Sequence, residues 1–188
     1  MKRIYLFIWS ALILLSSCEK YGMIDWGRYR STATLNGNKE WTANKCWFDY
    51  YGSRGDVVYL LLDYTNNHGL VRERIAFVFY RDILGTTLLK HEKRGGEIAA
   101  RKPSSYFDTF GEDLYRYTGT GIYDLFEKEG FENYIRIDRI SEDGKEIEGV
   151  YQLAFVISQG SRPPELDPSR PDTLIFTDGV FKARQGDW

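Results

Sequence analysis

The sequence contains one cluster of carboxylates whose spacing could suit catalysis or metal binding. Its members are Asp108, Glu112 and Asp113. Glycosidases use two carboxylates at a fixed separation, and calcium loops use several carboxylate oxygens. The cluster lies in a segment predicted to be a loop, and it lacks the alternating Asp/Asn pattern of a calcium loop. We therefore interpret these acids as solvated loop residues and predict neither a catalytic residue nor a metal site.

The two histidines and the second cysteine add no metal-binding motif. His68 lies in a turn-like stretch and His91 in a charged one, and neither has a His or Cys neighbour at ligand spacing. Cys46 stands in an aromatic stretch and is expected to be a small buried residue. The chain contains no phosphate-cradling glycine loop, dinucleotide fingerprint or nucleophile elbow. We therefore expect a non-enzymatic protein without a cofactor.

The strongest chemical motif ends at Cys18. Before it come a short basic start, a run of residues 4–15 that is apolar apart from one serine, and two further serines. A helix over residues 4–15 rises about 18 Å, which is too short for a hydrocarbon core of roughly 30 Å, so the segment predicts a secretory signal. The order aliphatic, small, small, Cys resembles the bacterial lipobox. There the thiol takes a diacylglycerol group and a peptidase cuts just before the modified cysteine.

Lipidation of Cys18 determines the expected domain boundaries and the expected location in the cell. Residues 1–17 are predicted to be a lipoprotein signal peptide, 18–30 a lipid-anchored tether and 31–188 a single β domain. Fatty acyl chains such as palmitate give about 0.8 kcal/mol per buried methylene, so more than one chain anchors stably. We expect the membrane of the bacterial cell envelope, in particular the outer membrane, as the location. The periplasmic and surface faces both stay open.

Composition and net charge limit the classes of partner that are expected. The signal removes two basic residues, so the formal net charge changes from −2 to −4, and nucleic acid is not expected as a partner. With 43% hydrophobic and 16% aromatic residues, the chain is predicted to bury a real core rather than to be disordered. Once Cys18 is lipidated, Cys46 has no disulfide partner, so that core must supply the stability.

Beyond residue 30 the pattern predicts strands joined by tight turns. Ser31–Leu35 followed by Asn36-Gly37-Asn38 predicts a hairpin, because Asn-Gly tolerates positive φ at both central positions. Residues 57–64 are almost continuously apolar, which predicts a strand covered on both faces. Further strands are predicted at 40–43, 74–80, 134–140, 146–158, 173–177 and 180–184. The ranges 86–90 and 114–123 are additional candidates for strands.

Turn signals and prolines divide these strands. Asp143-Gly144 predicts a hairpin between two of them, and Asp178-Gly179 predicts a turn or bulge. Four of the five prolines lie in 162–172, which predicts a loop because proline cannot donate to a strand ladder. The segment 95–117 has no assigned role.

About eight sequential strands without a convincing helix predict an all-β fold, an antiparallel meander. The meander can close as a lipocalin-like barrel or, alternatively, form a two-sheet β-sandwich. The long amphipathic strands favour the barrel.

Aromatic residues are the most suggestive candidates for binding. Aromatic faces stack on sugar rings, so Trp41, Trp47, Tyr50 and Tyr51 are the predicted ligand-binding residues. Successive residues of a strand point to opposite faces, so half of the run 47–51 is expected to be core instead.

Three features together resemble a family of small Bacteroidota lipoproteins of unknown function. They are the lipobox, the sequence Ala33-Thr-Leu-Asn-Gly with Trp41 following, and the C-terminal pair of 147–155 and Phe176-Thr-Asp-Gly-Val-Phe. The resemblance spans most of the mature chain, but its motifs are turn glycines and core aromatics. It implies no catalytic residue.

The sequence therefore predicts a membrane-anchored, non-enzymatic β domain. The ligand hypotheses are a glycan, a small apolar molecule in a barrel lumen, or an envelope protein. The alternative is a structural or assembly subunit of the envelope, and a carboxylate-based hydrolase is the third hypothesis. The identity of the ligand or partner and the oligomeric state stay open.

Overall fold

The computed structural model describes residues 25–51, 55–80, 84–92, 102–111, 119–158 and 171–186. Over these ranges the chain is all-β, as predicted, with one short 3₁₀ turn at Trp26–Arg28 before the first strand. No helix in these ranges has the length and apolar character needed to cross a membrane. The strands are β1 (Ser31–Leu35), β2 (Lys39–Ala43), β3 (Lys45–Tyr51), β4 (Val57–Thr65), β5 (Val71–Tyr80), β6 (Gly85–Leu88), β7 (Ser104–Phe110), β8 (Gly119–Leu125), β9 (Tyr134–Ile140), β10 (Glu146–Ile157) and β11 (Thr173–Gln185).

Seven of the eleven strands form a closed ring, in the order β3-β4-β5-β7-β8-β10-β11 and back to β3. Six of the seven contacts are antiparallel, whereas β11 and β3 are parallel through Arg184–Trp47 and Gln185–Phe48. The predicted antiparallel pairing is thus present at six contacts, and the ring closes through one parallel pair. An odd number of alternating strands cannot close without one parallel pair.

The ring has two narrow contacts that divide it into two curved halves. β11 meets β3 through two residue pairs, and β8 meets β10 through three. One half contains β3, β4, β5, β7 and β8. The other contains β2, β1, β11, β10, β9 and β6, since β1–β2 extends from β11 and β9–β6 extends from β10. The fold thus combines features of the predicted barrel and of the alternative sandwich.

Aromatic side chains fill the interior between the halves. Phe107 is the centre of this packing, with ring centroids 5.5 Å from Tyr123, 5.5 Å from Phe176 and 6.0 Å from Phe155. All four are at most 1% exposed. Because buried aromatics contribute large apolar areas and edge-to-face contacts, this interior is the main source of stability.

The local turn signals are confirmed. Asn36 and Gly37 have φ of 50° and 77°, as a type I′ turn between β1 and β2 requires. Gly144 has a φ of 70° in the β9–β10 hairpin. Residues 173–177 and 180–184 are one strand, β11, with an irregularity around Asp178, whose φ is 54°.

Gly179, beside the irregularity in β11, leaves room for the side chain of Tyr151. The ring of Tyr151 lies directly over it, so that a Cβ at this position would be 2.6 Å from ring atoms. Only glycine allows this approach. Tyr151 is in turn fixed by its hydroxyl, which lies 3.0 Å from the Ser31 hydroxyl.

β3 and β7 have no counterpart among the predicted strand ranges. The run 47–51 was expected to alternate between two faces as a strand does but was given no strand bounds, and Asp108 on β7 was assigned to a loop. Because Asp108 lies within this strand, its assignment to a loop is wrong. Side chains on both faces of β7 are largely buried, and only Asp108 and Phe110 are half-buried. A strand buried on both faces lacks the alternation of apolar and polar residues by which a strand is recognised in a sequence.

Candidate functional site

The outer face of the five-stranded half is organised in four rows across β3, β4, β5 and β7. Each row is read from the strand register. From one end of the strands to the other, the rows are Tyr51–Val57–Tyr80, Asp49–Tyr59–Val78–Ser104, Trp47–Leu61–Ala76–Tyr106 and Lys45–Asp63–Arg74–Asp108.

Three tyrosines form one end of this face, and we refer to Tyr51, Tyr59 and Tyr80 as the tyrosine surface. Tyr51 and Tyr80 are 39% and 45% exposed. Tyr59 is half-buried and meets Tyr51 edge-to-face, with centroids 5.8 Å apart and ring planes at 78°. The surface therefore combines accessible ring area with a geometry held by ring packing.

A buried apolar layer supports the tyrosine surface. Its fully buried members are 2–4% exposed although they lie on the outside of the ring, and Trp47 and Tyr59 pack against them. This confirms that β4 is covered on both faces, as its continuous apolar sequence predicted. The members are Val57, Leu61, Ala76, Val78 and Tyr106.

An ion pair closes the opposite end of the face. Asp63 is 1% exposed and accepts from Arg74 at 2.6 Å (Nε to Oδ1) and 2.9 Å (to Oδ2). Trp47 Nε1 donates to Asp63 Oδ2 at 3.3 Å. Burial opposes the charge on Arg74, but the hydrogen bonds and charge of Asp63 outweigh it and raise the Arg74 pKa. This fully engaged carboxylate is structural rather than a free acid or base.

The four predicted ligand-binding residues do not share one surface. Trp41 is 4% exposed inside the molecule, donates to Glu73 Oε2 at 2.6 Å, and packs edge-to-face on Phe176. Tyr50 packs against the core. Trp47 and Tyr51 are on the outer face. The strand alternation expected for this run explains the division.

Sequence reasoning missed Tyr59 and Tyr80. Tyr59 on β4 and Tyr80 on β5 alternate along their strands with residues that point inward. This alternation could have placed both tyrosines on the outer face. The missing information was the register that places Tyr80 in the row of Tyr51.

Cys46 is the small buried residue that was predicted. It is free and 0% exposed, and burial followed by the charge of Asp63 raises its thiol pKa well above the ordinary value. The histidines have structural contacts: His68 N donates to Asn66 Oδ1, and His91 Nδ1 lies 3.2 Å from the Leu125 carbonyl. Within the described ranges, no group of three His, Cys, Asp or Glu side chains is arranged to hold a metal ion.

Several predictions fall outside the described residues. They are the signal peptide, lipidation of Cys18, the acids Glu112 and Asp113, and most of the proline-rich segment. Comparison with protein-family models, curated proteins and solved structures gives no match to this chain. The geometry of the tyrosine surface is therefore the observation from which function has to be argued.

Proposed function

We propose that the protein is a lipid-anchored, non-catalytic binding protein of the bacterial envelope, and that its tyrosine surface binds a glycan. The anchor is argued from the sequence around Cys18, which also supports a location at the outer membrane. The binding surface is argued from Tyr51, Tyr59 and Tyr80. These are two independent parts of the proposal, and each has its own test.

Accessible tyrosines at neighbouring strand positions carry the glycan part. Tyr51 and Tyr80 are two strands apart in one row, so their Cα atoms are separated by about 10 Å. That span suits contact with more than one sugar ring of a chain. Aromatic rings offer apolar area for the C–H faces of sugars, while phenol hydroxyls supply hydrogen bonds. The half-buried Asp49, directly opposite Tyr59, adds a carboxylate acceptor.

The interior gives less support to the lumen hypothesis. The large side chains that line it are packed at 5.5–6.0 Å between ring centroids, as far as the described residues extend. A small apolar ligand would have to displace this packing, which is costly in a close-packed core. We therefore propose recognition on the outside of the ring.

A glycan array with the lipidated protein in detergent tests the binding part, using envelope, plant and host polysaccharides. For any glycan that binds, Tyr51→Ala and Tyr80→Ala should each weaken binding by about tenfold, equivalent to about 1.4 kcal/mol. Tyr64→Ala is the matched control, because Tyr64 is 41% exposed and lies on β4 like Tyr59. Absence of any bound glycan, or an equal loss in the control, contradicts the proposal.

The anchor is tested by Cys18→Ala. Substitution should abolish lipid labelling and release the protein from membranes while the domain keeps its melting temperature. Unchanged membrane fractionation together with unchanged lipid labelling contradicts the anchor.

An assembly role is the second candidate, and one observation favours it. Leu88 on β6, the last strand of the described sheet, is 52% exposed, and Leu84 just before this strand is 70% exposed. Exposed apolar residues at a strand edge are typical of sites where another chain pairs. Cross-linking in cells followed by mass spectrometry tests this role, since a stoichiometric partner at β6 supports it and the absence of any cross-link at β6 counts against it.

A further inference from the structure

The 3₁₀ turn Trp26–Arg28 is the described element nearest to Cys18 in the sequence. Residues 18–24 connect Cys18 to Asp25 at the start of this turn, and a chain of that length spans about 25 Å at most. A lipidated Cys18 therefore keeps the turn within about 25 Å of the membrane surface. The side chains around the turn are consequently the first candidates for contact with lipid headgroups.

This turn lies at the end of β3 that is farther from the tyrosine surface. Lys45, the first residue of β3, places its Nζ 5.0 Å from the centroid of the Trp26 ring. The next residue, Cys46, donates from its backbone N to the Tyr29 carbonyl at 3.1 Å. Tyr51 is the last residue of β3, about 20 Å further along the strand. The turn and the tyrosine surface thus lie at opposite ends of β3.

Two exposed arginines flank the turn. Arg28 and Arg30 line a surface depression together with Asp25, Gly27 and Lys182. Arg30 Nε donates to the Gly27 carbonyl at 3.0 Å, so the N–H groups of its two terminal nitrogens stay available for an acceptor. Within the described residues, neither arginine forms an ion pair with a carboxylate. Both guanidinium groups can therefore bind an anion from outside the domain.

The acids near the depression do not cancel this charge. Lys182 Nζ lies 3.0 Å from Glu146 Oε2 and 2.8 Å from Glu148 Oε1, and Arg139 lies 3.8 Å from Glu148 Oε2. These two acids are thus matched by two cations. Asp25, whose Oδ1 accepts from Gly27 N at 3.1 Å, is the remaining acid of this group. It opposes three cations, which are Arg28, Arg30 and Lys45.

We propose that Trp26, Arg28, Arg30 and Lys45, which we call the basic surface, lie on the membrane and bind anionic phospholipid headgroups. The planar guanidinium group donates in a fork that matches phosphate oxygens, and basic residues next to a lipid anchor are attracted to an anionic leaflet. The half-buried Trp26 suits the boundary between headgroups and water. This orientation rests on the proposed lipid anchor. It presents the tyrosine surface on the side away from the lipid, where a glycan has access.

Energy transfer from the domain to the bilayer tests this orientation. A donor dye is attached to Thr42→Cys in the lipidated full chain, and a trace headgroup-labelled lipid is the acceptor. Thr42 is exposed and pairs with Thr32, two residues beyond Arg30, whereas Cys46 is buried and does not take the dye. We expect more transfer in vesicles of equal phosphatidylcholine and phosphatidylglycerol than in phosphatidylcholine alone. The increase should disappear in about 1 M salt, where the Debye length is about 3 Å. A dye on Tyr51→Cys should give less transfer than the dye on Thr42→Cys.

Charge reversal tests the residues of the basic surface. The double variant Arg28→Glu/Arg30→Glu should abolish the increase with phosphatidylglycerol, because loss of two arginines shifts the docking equilibrium by about thirtyfold. Lys102→Glu/Lys128→Glu is the matched control and should keep the increase. It makes the same change in net charge at exposed lysines, which lie where β7 begins and β8 ends, away from the turn.

The outcomes separate the orientation from the anchor. Equal transfer in the two kinds of vesicle, or an equal loss in the lysine control, overturns headgroup binding while attachment to the membrane stays intact. More transfer from Tyr51→Cys than from Thr42→Cys overturns the orientation. A chain that does not float with vesicles of phosphatidylcholine alone contradicts the anchor and the orientation together.

Discussion

β3, β4 and β5 have two faces that are built from similar residues for different purposes. The inner face carries Phe48, Leu60 and Phe77, all 0% exposed, in the common core. The outer face has three parts along the strands: the accessible tyrosine surface, a buried apolar layer, and the Asp63–Arg74 pair. The same strands thus stabilise the core with one face and present a surface of varying exposure with the other.

The difference teaches that aromatic content alone does not identify a binding site. Tyr50 and Tyr51 are neighbours in sequence, yet Tyr50 packs against the core whereas Tyr51 is exposed. Function has to be assigned by face and by register. The following predictions test this distinction, starting with the largest expected effect.

Phe77→Ala on the inner face of β5 should cost the most stability. The side chain is 0% exposed and packs edge-to-face on Tyr151 at 5.6 Å. Its removal leaves a cavity, so we expect a loss of about 3 to 5 kcal/mol in the free energy of unfolding, measured by urea denaturation. A loss below about 1 kcal/mol would mean that the interior is not tightly packed.

Thiol labelling compares the two faces of β3 directly. Burial raises the Cys46 pKa, so less thiolate is present at pH 8 than in an exposed cysteine, and access requires opening of the fold. We expect an alkylating reagent to modify Cys46 at least about a hundredfold more slowly than the new thiol of Tyr51→Cys. Comparable rates in the native protein would contradict the assignment of inner and outer faces.

Asp63→Asn at the far end of the outer face should have an intermediate effect. The variant leaves the Arg74 guanidinium, 28% exposed, without its buried counter-charge, and we expect a loss of about 2 kcal/mol. Asp138→Asn is the control, because the Arg136–Asp138 pair is exposed on both sides, and it should leave the urea midpoint unchanged. Equal shifts in the two variants would contradict a structural role for the buried pair.

Tyr51→Ala should have the smallest effect on stability. Its ring is accessible and its described contact is the single edge-to-face pair with Tyr59. We expect a loss of about 0.5 kcal/mol in thermal unfolding, although glycan binding falls tenfold. A loss as large as that of Phe77→Ala would place Tyr51 among the core residues.

Local signals in the sequence were sufficient for much of the fold. Asn36-Gly37 specified its turn because positive φ at two positions is a property of those residues. The continuous apolar run of β4 predicted burial on both faces, and β9 begins and ends at the predicted residues. These features depend on a few neighbouring residues.

The missing parts depend on contacts between distant residues. The parallel pair of Arg184 with Trp47 arises only when the ring closes, and β7 is recognisable as a strand once β5 and β8 are known to flank it. Trp41 appeared to be a ligand-binding residue because its sequence does not reveal Glu73 and Phe176 as its neighbours. Tyr59 and Tyr80 were missed for the same reason.

Chemical-shift mapping with a glycan that binds on the array tests the central claim most directly. Titration of the isotope-labelled protein should perturb resonances of Tyr51, Tyr59 and Tyr80 on the outer face. Resonances of Phe48 and Phe77, directly behind them, should change little. Perturbations centred on these inner residues, or on a surface away from β3, β4 and β5, would contradict recognition by the tyrosine surface.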